Sequence, residues 1–229
     1  DYPVTRRASL KDAVESLGPP HTEVHGLACD KKPASFGDLL EPGSCIDVYP
    51  AAPPVDVTRP QPLRPAFDRV AFLVDQNVAK LAGLLRLLGL DAVHDPGFSD
   101  QDLARLALED KRILLSRDTA LLKRSSVVHG RLIRAADPWD QLREVLDFYA
   151  VGPLAPLSRC PCCNQKLQPV AKKDIVHRLL PKTRTYYHAF HICPACERIY
   201  WPGSHVDRLI QRLHSLCGTV ELEKSGRRL

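Results

Sequence analysis

Methionine is missing from all 229 residues, even at position 1. The expectation is a chain trimmed from something longer, with an N-terminal element absent. No apolar run approaches the roughly 20 residues that cross a bilayer, and the opening DYPVTRR lacks the apolar core of a secretory signal. Both absences point to a soluble, cytoplasmic protein with no membrane role. Neither an internal repeat nor a low-complexity tract occurs, and 44% hydrophobic content excludes disorder of the whole chain. Acidic residues are scarce in one place only, the last third.

That scarcity shapes the charge. Net charge is +5, yet residues 1–66 carry −2, residues 67–158 carry −1, and residues 159–229 carry +8. A basic segment of this kind favours a polyanionic partner. Six of the eight cysteines lie in it: Cys160, Cys162, Cys163, Cys193, Cys196 and Cys217, with Cys29 and Cys45 apart. The pairs Cys160-x-x-Cys163 and Cys193-x-x-Cys196, without a secretory signal, are the ligand pattern of a tetrahedral structural Zn²⁺. Cys162 and His191 are rival ligands by position. The intervening residues 164–192 suffice for a pair of strands with a basic excursion through Lys172, Lys173, Arg178, Lys182 and Arg184.

Ser9 to Gly18 reads as a capped helix, followed by strand-like pieces at Val24–Leu27 and Ile46–Tyr49. Six prolines between Pro50 and Pro65 predict a stiff, extended linker and a boundary. The division expected is residues 1–50, a linker at 51–66, a second unit at 67–158 and a third at 159–229. In the second unit, strands at Val70–Val74, Ala92–Val93 and Ile113–Leu115 alternate with helices from Val78 to Leu88 and over Asp100–Leu108. This β-α-β-α-β order implies a parallel sheet. A further helix is expected over Pro138–Tyr149.

In such a sheet, ligands bind beyond the carboxyl ends of the strands. Asp75 and Asp118 each follow an apolar strand there, and Asp100 opens the intervening helix. Three converging carboxylates need divalent cations between them, and hard oxygen donors select Mg²⁺ or Mn²⁺. Metal-assisted phosphodiester hydrolysis suits such a site. The competing explanation is that each aspartate caps the helix it precedes.

The stretch Asp75-Gln76-Asn77-Val78-Ala79-Lys80 through Gly89-Leu90-Asp91, then Ser99-Asp100 with Asp102-Leu103, then Arg112-Ile113-Leu114-Leu115-Ser116-Arg117-Asp118, resembles the PIN-type Mut-seven C-terminal RNase domain. The likeness continues through Arg159-Cys160-Pro161-Cys162-Cys163-Asn164, Cys193-Pro194-Ala195-Cys196 and Tyr200-Trp201-Pro202-Gly203-Ser204-His205, and spans roughly residues 70–210. It implies a PIN-like α/β fold with an appended zinc ribbon, and Asp75, Asp100 and Asp118 as the catalytic, metal-binding set. Ser116 stands where the family more often has Thr. PIN nucleases usually have a fourth acidic position, for which Asp102 is the candidate here.

Residues 4–50 resemble the ubiquitin-like β-grasp domain that precedes this RNase domain in many bacterial relatives. The resemblance implies a partial β-grasp whose first hairpin is missing, and a protein-docking role. Around the acidic motifs, Lys80, Arg86, Arg117, Lys123, Arg124 and Arg159 are candidates for holding phosphates, with Lys172, Lys173 and Arg178 in the ribbon. His205 is a candidate phosphate ligand or proton shuttle, against a structural role beside Trp201. Trp201, Tyr200, Tyr186 and Tyr187 are candidates for base stacking, against service in the ribbon core. The leading expectation is a ribonuclease with structural Zn²⁺ and catalytic Mg²⁺ or Mn²⁺. The alternative is a non-catalytic binder of tRNA or rRNA on the same scaffold.

Overall fold

The computed structural model describes residues 7–217, apart from the side chains of His205, Asp207, Leu209, Leu213, His214, Leu216 and Cys217 in the last helix. Helix α1 (Leu10–Ser16) starts with a reciprocal cap, the Ser9 hydroxyl accepting the Asp12 amide while the Asp12 carboxylate accepts the Ser9 amide. Leu10 and Val14 on one face of α1 bury against Val24 and Leu27 of β1 (Val24–Cys29). Antiparallel partners flank β1 on both sides: β2 (Lys32–Ala34) and β3 (Ile46–Pro50). Nothing in the polar Lys32-Pro33-Ala34 alternates, so the sequence alone did not announce β2.

Strands β4 (Phe72–Val74), β5 (Ala92–Val93), β6 (Ile113–Ser116) and β7 (Gly130–Leu132) form a parallel sheet in the order β5-β4-β6-β7. Every residue of β4 and β6 is buried, as strands covered on both faces must be. Alternation divides their side chains. Phe72, Val74, Ile113 and Leu115 join the core under α2 (Ala79–Leu87) and α5 (Pro138–Phe148). Leu73 and Leu114 join the opposite core under α3 (Asp100–Glu109) and α4 (Thr119–Leu122). The chain leaves β4 towards β5 and leaves β6 towards β7, so the order reverses between β4 and β6. A crevice opens at their carboxyl ends.

Two expectations change. The first strand begins at Phe72 rather than Val70. Residues 51–66, expected as a stiff, extended linker, also pack against the fold: Val57 is fully buried in the core beneath α2 and α5, and Val55 bonds its backbone to Phe148 and Ala150. The prolines drew attention from these two valines, whose burial outweighs the stiffness of their neighbours. Nearby, the Arg64 guanidinium donates to the carbonyls of His21, Thr22 and Val24, fastening the segment to the ubiquitin-like unit.

Strands β8 (Gln168–Val170), β9 (Phe190–Ile192) and β10 (Ile199–Tyr200) make an antiparallel sheet ordered β10-β9-β8. The basic excursion between β8 and β9 is helical, α6 (Lys172–Ile175) and α7 (Pro181–Tyr186). Helix α8 (Ser204–Cys217) returns along α5, where the Arg212 guanidinium lies 4.2 Å from the Trp139 ring centre. Among the described residues no helix is long and apolar enough to cross a membrane. The appended units also close the two edges of the parallel sheet. Asn164 Oδ1 accepts the Ala92 amide of β5 at 3.2 Å, and Glu23 Oε1 accepts the Leu132 amide of β7 at 3.0 Å.

Candidate functional site

Asp75 leaves the end of β4 with 8% exposure. Its Oδ2 accepts the Ser116 hydroxyl and the Asn77 side-chain amide, each at 2.6 Å. Ser116 ends β6 one strand over, and its Oγ also accepts the Asp118 amide at 2.8 Å. Asn77, in the 3₁₀ turn Gln76–Val78, completes the stitch by accepting the Arg117 amide at 3.0 Å. The strand ends on either side of the crevice are thereby fixed, and no lysine or arginine pairs with the Asp75 carboxylate among the described residues. A buried carboxylate held only by neutral donors has room in its charge balance for a cation.

Capping accounts for one aspartate of the three. Asp118 Oδ1 accepts the Ala120 and Leu121 amides at 2.7 and 3.2 Å as the N-cap of α4. Asp75 makes no side-chain cap bond. At α3 the cap is Ser99, with Asp102 closing the capping box through its Oδ2, which leaves Asp100 exposed with Arg124 at 4.0 Å. Asp102 is thus committed to the backbone rather than offered as a fourth acidic ligand. Asp75, Asp100 and Asp118 do not close into a ligand-tight triad: among the described residues the four cysteines alone bring three or more ligating atoms within 4.8 Å of one another. Asp75 and Asp118 both bond to Ser116 Oγ, the first through its carboxylate and the second through its backbone amide.

Cys160, Cys163, Cys193 and Cys196 do converge. Cys160 and Cys196 sulfurs are 3.6 Å apart, Cys163 and Cys193 sulfurs 3.3 Å. Four thiols at such separations match the edges of a tetrahedron with Zn–S bonds near 2.3 Å. Each knuckle turns through a left-handed residue, Asn164 at φ +67° and Glu197 at φ +55°. Burial works to raise the Cys160 thiol, but bonds from Tyr200 and the Cys162 and Cys163 amides outweigh it and bring it down to about 6. The same contacts favour the thiolate at Cys160, the form that binds metal. Cys162 is exposed and outside the cluster, and His191 is not part of it.

The basic candidates separate by what they touch. Lys80 and Arg117 are exposed beside the acidic edge, and Arg124 stands near Asp100. Arg86 is buried, donating to the carbonyls of Ala92, Pro161 and Cys162. Arg159 reaches Asn164 O and Asp91, and Lys123 Nζ donates to the Glu15 carbonyl. These three candidates for holding phosphates are engaged in joining units of the fold, Arg86 and Lys123 through backbone carbonyls and Arg159 through the Asp91 carboxylate. In the ribbon, Lys173 is exposed, Lys172 half-buried, and Arg178 is exposed while donating to the Glu197 carbonyl at 2.7 Å. The side chain of His205 lies outside the described residues.

Four residues escaped the sequence-based list of candidates, in three groups. Asn77 and Ser116 orient the acidic edge; both lay within the quoted motifs, and a polar pair beside strand-end aspartates was the available signal. His94 Nδ1 meets the Val74 carbonyl at 2.9 Å, just before Asp75, with no signal beyond its place after β5. A third group, Asp91, binds Arg112 at 2.8 Å, Asn164 at 2.8 Å and Arg159 at 3.4 Å. Burial raises its carboxyl, but those bonds prevail and hold it below the ordinary value. This knot joins ribbon to sheet and is structural.

Comparison with protein families matches residues 70–213 to the Mut7-C RNAse domain and residues 1–56 to the Mut7-C ubiquitin domain. Neither curated proteins nor solved structures gave a match. A parallel sheet with its acidic switch point, a four-cysteine ribbon and a ubiquitin-like unit in front place this chain in the Mut7-C RNAse domain family.

Proposed function

We propose that the protein is a metal-dependent ribonuclease that hydrolyses RNA phosphodiester bonds at the crevice between β4 and β6. The observation that carries this reading is Asp75, a buried carboxylate at the topological switch point with no cationic partner among the described residues. Asp75 and Asp118, with Asp100 at the rim, would hold Mg²⁺ or Mn²⁺. Such an ion activates water and neutralises charge on the phosphate. Ser116 and Asn77 aim the Asp75 carboxylate, and Lys80, Arg117 and Arg124 would hold flanking phosphates. Residues 67–158 would be the catalytic unit and 159–229 the unit that grips RNA, with Zn²⁺ holding the ribbon together. Residues 1–50 would dock a protein partner. The test is labelled RNA with the full chain and Mn²⁺: cleavage that EDTA stops and that Asp75→Asn lacks supports the proposal.

A second reading has its own observation. Because Asp118 already caps α4 and Asp100 stands off at Arg124, the scaffold would suit an RNA binder, for tRNA or rRNA, that does not cut. Intact RNA shifted by the wild-type chain under Mn²⁺ would favour it.

A further inference from the structure

We propose that the zinc ribbon carries a pocket for a single base of single-stranded RNA, which deepens the RNA reading above and rests on it. A cavity of about 380 Å³ lies between α7, β10, the start of α8 and the end of α2. Its walls include Tyr187, Tyr200, Trp201 and Thr183. Tyr187 and Trp201 meet at 48° with ring centres 6.2 Å apart, tilted rather than stacked, and both line the cavity. Trp201 also packs on Phe190 and so belongs to the ribbon core, yet it stays half-buried and lines the cavity. The Tyr200 hydroxyl is 3.1 Å from Cys160 Sγ, which anchors one wall to the thiolate cluster.

Polar atoms decide the occupant. Thr183 is 8% exposed and lines the cavity, and its hydroxyl has no hydrogen-bond partner among the described residues. Trp201 Nε1 and the Tyr187 hydroxyl both crowd Gly203, where an added Cβ would lie 2.9 and 3.4 Å from them, and they too lack partners among the described residues. An apolar protein side chain would fill the space and leave these three polar groups unsatisfied, at a desolvation cost. A nucleobase offers a face for the rings and edge atoms for the hydroxyls and indole N–H. Lys182 and Arg198, next in sequence to the lining residues Thr183 and Ile199, are exposed and are the nearest cations in sequence for the phosphates of a bound strand.

The experiment uses the full, zinc-loaded chain, a short labelled oligo-adenylate RNA, and an abasic ribose-phosphate oligomer of the same length. Wild type should bind the RNA with quenching of tryptophan emission that Trp201→Phe removes, leaving Trp139 unaffected. Tyr187→Ala should weaken RNA binding about ten-fold or more, and Thr183→Val, which keeps the wall's shape, should weaken it several-fold. Neither change should alter binding of the abasic oligomer. Equal RNA affinity for wild type and Thr183→Val, with Trp201 unquenched, overturns the pocket while leaving an RNA-binding protein that grips by charge alone. If wild type binds no RNA, both the pocket and the RNA reading fall.

Discussion

Ser116 donates its hydroxyl to Asp75 Oδ2 across 2.6 Å, adding a side-chain tie to the Asp75 N–H to Leu115 carbonyl bond that joins the carboxyl ends of the two neighbouring strands. Ser116→Ala should cost about 1 kcal/mol of stability and slow cleavage at least ten-fold, because the Asp75 carboxylate is then held by the Asn77 amide alone. Asp75→Asn should fold and bind RNA but fail to cut. Asp118→Asn keeps an oxygen for the Ala120 and Leu121 amides, so its melting curve should match wild type while cleavage is lost. Wild-type rates for either asparagine variant under matched Mn²⁺ would remove the acidic edge from catalysis.

Zinc should be present at one ion per chain by elemental analysis. Cys193→Ser should release it and unfold the ribbon, since structural zinc supplies folding free energy. The readout is loss of the ribbon's proton resonances together with the metal, while those of the parallel sheet persist. Retained zinc in that variant would point to a different ligand set.

Salt dependence should locate the RNA grip. Replacing Lys172, Lys173 and Arg178 together by Ala should lower affinity and flatten the log–log salt slope by up to about 0.7 for each single-strand phosphate no longer neutralised. Arg86→Ala should do the opposite, lowering stability by roughly 2–3 kcal/mol, since three carbonyls lose their donor, with the slope unchanged. Titrations at several salt concentrations, paired with thermal melts, separate the two outcomes.

Acid should loosen the protein through His129. Burial, with the nearby Arg64 adding to it, pushes this imidazole down to about 4 despite the bond to the Pro65 carbonyl. The unfolded chain takes up a proton near pH 6.5 that the folded chain refuses, so the contribution is intact above about 6.5 and declines as pH falls towards 4, on the order of 2–3 kcal/mol in full. His21, also lowered by burial, acts in the same direction. Melting temperatures measured between pH 7.5 and 4 should show the decline, and His129→Gln should show a shallower one.

Much of this was legible in the residues. Alternating apolar runs announced β4, β6 and the helices around them, and paired C-x-x-C spacing announced the cluster at Cys160, Cys163, Cys193 and Cys196. Position just past apolar runs put Asp75 and Asp118 at the carboxyl ends of β4 and β6, where the structure has them. What stayed hidden depends on packing between units far apart in sequence. Nothing local distinguishes Arg86, buried on ribbon carbonyls, from Lys80, exposed on the same helix. Val57 is apolar inside a proline-rich tract, and only the assembled core shows that it is buried. Strand β7 has one apolar residue, Leu132, and exists because β6 offers it a ladder. The Asp91 knot needs Arg112 and Asn164, 21 and 73 residues away.

The paired closures by Asn164 and Glu23 bear on how the protein can be divided. Each satisfies an outward-facing amide on an outermost strand of the parallel sheet, and an uncovered strand is a template for pairing with another chain. Excised as residues 67–158, the sheet would expose both margins, along with the apolar surface that Val57 covers. Self-association of that fragment is the expected behaviour, so the flanking units should guard the sheet against pairing with a second copy whatever else they bind.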